Sequence, residues 1–175
     1  MQQVNLSRLR VLIVGAKGYA ASLLRGVLSV NGINRVCVIE DAGRALDLLR
    51  SENFDIVFIE EQLEVEGKPF PTAARRSKAL INPLIPIILV CSGARRRDVE
   101  RSRDLGVNDV ITRPFSPKTL MNKLVPALMA PRPFIAAPQF FGPDRRSKLR
   151  ADAPLFRQDR RKRKPQKTRI QIVEI

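Results

Sequence analysis

The chain has 175 residues, 44% of them hydrophobic, which is room for one domain with a packed core and an appendage. It contains no histidine, which excludes histidine-based catalytic triads and most zinc sites. The formal net charge of +15 is uneven: residues 1–130 hold 19 Lys/Arg against 13 Asp/Glu, whereas residues 131–175 hold 13 against 4, so a basic tail suited to phosphates, acidic proteins or anionic lipid follows the domain.

The first apolar run, Arg10–Val14 (RVLIV), is β-branched and stops at Gly15. Runs of the same kind follow at Arg35–Ile39, Asp55–Ile59, Ile85–Val90 and Asp109–Thr112. Continuous apolar runs of this length suit parallel strands covered on both faces. Helical patterns alternate with them. Tyr19–Val30 places Leu23, Leu24, Val27 and Leu28 on one face, and Gly43–Arg50 places Leu46, Leu48 and Leu49 inward. Pro71–Leu80 and Arg96–Leu105 are more polar, and Pro117–Met129 closes the series with Leu120, Leu124 and Leu128. Strands alternating with helices predict right-handed βαβ units: an α/β fold with a five-stranded parallel doubly wound sheet, flavodoxin-like, in the order 2-1-3-4-5.

The domain is expected to end near residue 130. Beyond it, Pro131, Pro133, Pro138, Pro143, Pro154 and Pro165 preclude a long helix, and Gly142-Pro143-Asp144 reads as a turn. Residues 131–175 are therefore expected to form a basic, largely irregular extension, extended or mobile over 131–168, with Phe134, Ile135, Phe140 and Phe141 apolar enough to pack on the domain. The last seven residues, Arg169–Ile175 (RIQIVEI), alternate like a strand that could join a sheet edge in cis or on a partner. Cys37 and Cys91 each lie within an apolar run and read as small buried hydrophobes in a reducing compartment. The amino-terminal residues lack the pattern of a signal peptide, and no stretch reaches the ~20 apolar residues of a membrane span. A cytoplasmic location is expected.

Three segments resemble the receiver domains of response regulators, CheY-like proteins, over roughly residues 9–130: FDIVFIE, PIILVCSG and LGVNDVITRPFSPKTL. The last, a Gly-Val-Asn-Asp turn, a short strand, a basic-Pro dipeptide and Ser-Pro-Lys opening a helix, is the most specific. The tail PRPFIAAPQFFGPDRR is similar to that of some alphaproteobacterial response regulators. The resemblance implies an acidic Mg²⁺ site after the first strand, a phosphoacceptor Asp after the third, a switch hydroxyl and a lysine. This chain departs from that pattern. Gly15 and Ala16 stand at the acids, Glu60 at the phosphoacceptor, Cys91 (beside Ser92) at the hydroxyl and Arg113 at the lysine, while Pro114 is retained. A pseudo-receiver is expected, with no catalytic residue, no bound metal and no cofactor. Glu60 admits two readings: a built-in mimic of the phosphorylated state, or a carboxylate neutralised by the planar fork of Arg113. The Gly15–Gly18 segment (GAKG) lacks the P-loop spacing and reads as a tight turn. The Arg113-Pro114 bond is expected to be cis, as the resemblance implies.

Arg95, Arg96, Arg97, Arg101 and Arg103 make the fourth helix basic, which is either a partner surface or plain solvation. In the tail, Arg145, Arg146, Arg150, Arg157, Arg160, Arg161 and Arg163 form two clusters containing RxxxR spacings. Arginine forks grip phosphate and the guanine edge, so cyclic-di-GMP is a candidate ligand, with nucleic acid or another polyanion as a further reading. The function expected is a signalling adaptor of a two-component or related phosphorelay pathway, acting by protein–protein interaction. The alternative is a cyclic-di-GMP effector.

Overall fold

A computed structural model describes residues 5–60, 63–93, 96–137, 140–144 and 156–158, apart from the side chains of residues 96–98, 103, 137 and 156–158. Strand β1 (Arg10–Val14) is followed by α1 (Gly18–Val30), β2 (Arg35–Ile39), α2 (Ala42–Ser51) and β3 (Ile56–Glu60). A two-stranded hairpin, β4 (Glu64–Val65) and β5 (Lys68–Pro69), precedes α3 (Phe70–Arg76). Then come β6 (Ile87–Cys91), α4 (Arg96–Asp104), β7 (Asp109–Thr112) and α5 (Pro117–Met129). The main sheet runs β2-β1-β3-β6-β7, parallel throughout. With the small hairpin set aside, this is the 2-1-3-4-5 order read from the sequence.

Alternation along β1 divides the core. Val11 and Ile13 face the layer of α1 and α5, packed with Leu24, Leu28, Leu120 and Leu124. Leu12 and Val14 face α2 and α3, packed with Leu46, Leu49, Phe70 and Ala74. Asp41 caps α2, its carboxylate accepting from the Arg44 N–H at 2.7 Å. Ser116 caps α5 in the same way, and Pro117 opens that helix.

Two differences from the sequence reading have clear causes. Helix α3 ends at Arg76 instead of Leu80, because the chain turns to bury Leu80 beside α2, where the Ile81 N–H donates to the Leu49 carbonyl. The β4–β5 hairpin turns on Glu66 and Gly67, both at positive φ, a conformation suited to the twist of a two-residue hairpin.

The described residues of the extension form strands where an irregular run was expected. Strand β8 (Phe134–Ala137) pairs antiparallel with β9 (Phe140–Pro143), and β10 (Phe156–Gln158) pairs parallel with β8. Gly142-Pro143 therefore lies in a strand rather than a turn. Phe134 is buried, and its ring lies 5.7 Å from that of Phe141. Burial of Phe134 against the half-buried Phe141 supplies the packing that outweighs the proline-rich composition. The strand expected at 169–175 lies outside the described residues. Among those described, no helix is long and apolar enough to cross a membrane.

Candidate functional site

The carboxyl ends of β1, β3, β6 and β7 lie side by side at one edge of the parallel sheet, where such folds form their ligand pocket. Gly15 closes β1 at φ +79° and donates its N–H to the Ile39 carbonyl at 2.9 Å. A Cβ at Gly15 would lie 2.6 Å from both terminal methyls of Leu63, so an apolar side chain covers this point. Ala16 is buried beside it. Lys17 is exposed and faces Glu40 at 3.8 Å across the rim.

Glu60 ends β3 and meets Arg113 from the far side of the pocket. Arg113 Nη1 donates to Glu60 Oε1 at 2.9 Å, and Nη2 stands 2.9 Å from Oε2, so both oxygens face the guanidinium. Nη2 also donates to Ser92 Oγ at 2.9 Å. The two charged side chains are only 25% and 16% exposed, so solvent weakens this pair less than a surface pair. The main chain adds a further tie: the Arg113 N–H donates to the Cys91 carbonyl at 2.7 Å. Cys91 is buried, with its thiol donating to the Ile111 carbonyl at 3.6 Å. The Arg113-Pro114 bond is cis, and both cysteines are free. The structure thus brings together Gly15, Ala16, Glu60, Cys91, Ser92 and Arg113. Among the described residues, no group of three or more Asp, Glu, Cys or His side chains is placed to hold a metal ion.

A family model for the response regulator receiver domain matches residues 11–125. The chain belongs to that family. Chemotaxis protein CheY-3 of Vibrio cholerae is 24% identical to this receiver over 125 residues, covering 71% of the chain and 95% of that protein. Chemotaxis protein CheY of Pseudomonas aeruginosa is 24% identical over 117 residues, covering 66% and 93%. Among solved structures, the receiver resembles CheY4 of Vibrio cholerae with a TM-score of 0.59 at 21% identity, covering 69% of this chain and 98% of that one. It also resembles the receiver domain of the Pseudomonas aeruginosa sensor histidine kinase PA1611, solved with a magnesium ion in its active-site cleft, with a TM-score of 0.58 at 21% identity, covering 69% and 96%.

Of the basic residues read as a partner surface, Arg101 is exposed, whereas Arg96, Arg97 and Arg103 belong to α4 without described side chains. Arg95, Arg145, Arg146, Arg150, Arg160, Arg161 and Arg163 lie outside the described residues, and Arg157 is placed only as backbone of β10. The sequence reading missed Arg75. Buried in α3, it donates to the carbonyls of Gly106 (3.1 Å) and Pro83 (2.9 Å) and to Asn108 Oδ1 (2.8 Å). Its guanidinium lies 4.8 Å from the centre of the Phe134 ring. Burial pushes its pKa down to about 9. No local signal marks this residue, because its partners come from the α4–β7 loop, the loop before β6 and the extension.

Proposed function

We propose that this receiver is a signalling adaptor that takes no phosphoryl group and works by protein–protein interaction in a two-component or related pathway. The observation that carries this reading is the two-pronged Glu60–Arg113 pair, which occupies the position where the resemblance puts a phosphoacceptor and its lysine. Phosphotransfer to a carboxylate needs a free oxygen nucleophile and a cation to offset charge on the phosphoryl oxygens. Here the candidate nucleophile carries one methylene more than Asp and is bound to a guanidinium. The residues present do not suit the magnesium ion the family implies. Gly15 and Ala16 offer no side-chain oxygen, Leu63 covers Gly15, and a hard cation prefers several oxygen ligands. The same pair argues against Glu60 as a mimic of the phosphorylated state, since its charge is already matched. Incubation with acetyl phosphate and Mg²⁺ tests the proposal: the intact mass stays unchanged, and gain of one phosphoryl group on Glu60 overturns it.

A second reading makes the arginine tail a sensor of cyclic-di-GMP or another polyanion, with occupancy selecting the partner. The docked β8–β9 hairpin supports it by rooting the basic run at a fixed place on the domain. Calorimetry with cyclic-di-GMP, with GTP and a short DNA duplex as controls, separates the cases. Binding of cyclic-di-GMP that disappears on replacing Arg146, Arg150, Arg157 and Arg161 with Gln supports the effector. Indiscriminate binding that falls steeply with salt identifies a general polyanion tail.

A further inference from the structure

A cleft of about 780 Å³ lies beside the Glu60–Arg113 pair, between α4 and the wall formed by β4, β5 and α3. Its floor is apolar, built from Ile59, Leu63, Leu89, Val107 and Val110. Leu63, Leu89 and Val110 are only partly buried. The cause lies in the sequence of α4: RRDVERSRD offers Val99 as its single apolar residue, so this helix has little with which to cover the sheet. The floor is thus apolar surface still partly open to water, a state that favours an apolar occupant.

One apolar segment of this chain has no place in the described structure, Arg169–Ile175, which brings Ile170, Ile172, Val173 and Ile175. Strand β10 fixes where the chain leaves for it. Because Gln158 pairs with Ala136, and Ala136 with Phe141, the last described residue sits at the end of the small sheet that carries Phe140 and Phe141. Those two phenylalanines line a recess with Asp104 and Leu105, and Asp104 and Leu105 also line the apolar cleft. Ten residues, 159–168, separate Gln158 from Arg169. A coil of that length spans about 17 Å on average and about 33 Å fully extended, enough for a neighbouring site. The linking residues 159–168 carry six Lys/Arg and one Asp, and the rim of the cleft carries the exposed Glu64.

We propose that Arg169–Ile175 docks in cis into this cleft, seating its isoleucines on the floor that α4 leaves open. The segment is then an internal competitor for any apolar partner element that approaches the α4 side, and its release exposes the cleft. This inference goes beyond the adaptor reading and does not depend on whether Glu60 accepts a phosphoryl group.

The test is paramagnetic relaxation in the full chain. A nitroxide is placed at Gln171→Cys, a polar position of the alternating segment, in a Cys37→Ser, Cys91→Ser background. The proposal predicts strong broadening of the Leu89, Val107 and Val110 amides, independent of protein concentration. The Ile170→Asp, Ile172→Asp variant loses that broadening while the rest of the amide spectrum stays dispersed. Absence of broadening overturns the proposal, as does broadening that survives the two aspartates. Broadening seen only between labelled and unlabelled copies also overturns it, since the occupant is then a second chain.

Discussion

At the scale of single residues, the pocket is held by contacts that substitutions can separate. Gly15→Asp, which restores an acid after the first strand, meets Leu63 at 2.6 Å and a φ of +79°. Strained backbone of this kind costs ~1–3 kcal/mol and overpacking a similar amount. The variant is therefore expected to melt several degrees lower, with part of the loss recovered in Gly15→Asp, Leu63→Ala. Equal melting of the single and double variants would contradict the contact. Arg113→Gln leaves Glu60 partly buried without its fork, and urea unfolding should register a loss of about 1–3 kcal/mol. Arg75→Met strips hydrogen bonds from three acceptors at once and removes the cation from Phe134, for an expected loss of about 2–4 kcal/mol. The pH dependence of that loss has a definite sign. The folded pKa is about 9, well below the ordinary guanidinium value, so the group is charged in both states at neutral pH. The difference between wild type and Arg75→Met should therefore be flat from pH 6 to 8. Above about pH 9 the unfolded chain retains the proton longer than the folded one, and the cost of burying the charge diminishes as pH rises.

At the scale of elements, legibility followed the range of the signal. The β1, β2, β7 and α5 boundaries agree with the sequence reading because each is set by a local device: a β-branched run, a glycine stop, or the Ser116-Pro117 start. The β8–β9 hairpin was legible only as four apolar side chains without a partner. Its order depends on a long-range fit that no window of sequence contains. Gly106, at φ +97°, and Gly142 approach so closely that a Cβ on Gly106 would lie 2.9 Å from the Phe141 carbonyl oxygen. The Gly106→Ala substitution should consequently be costly in the full chain. Part of the penalty should persist in a chain ended at residue 130, because the positive φ remains after the hairpin contact is gone. Chemical denaturation of the four proteins measures this; an identical penalty in both backgrounds would show that the hairpin does not press on Gly106. The site shows the same division. Gly15, Ala16, Glu60, Cys91 and Arg113 could be placed from motif order alone, whereas Leu63 and Arg75 depend on tertiary placement.

At the scale of the whole molecule, the receiver fold is retained while the pocket at its carboxyl edge is held by protein side chains. Arg113 joins the end of β3, through Glu60, to the loop after β6, through Ser92, and to β6 itself, through the Cys91 carbonyl. A clamp across these segments favours one arrangement of the pocket, which supports the proposed reading of a receiver that takes no phosphoryl group. The most direct measurement of that claim is the amide spectrum of the full chain on addition of Mg²⁺ with beryllofluoride, a mimic of the acyl phosphate. The account predicts that the Glu60, Ser92, Ile111 and Arg113 amides do not move. Saturable shifts at those residues, absent with Mg²⁺ alone, would show an open and responsive phosphoryl site and would contradict it.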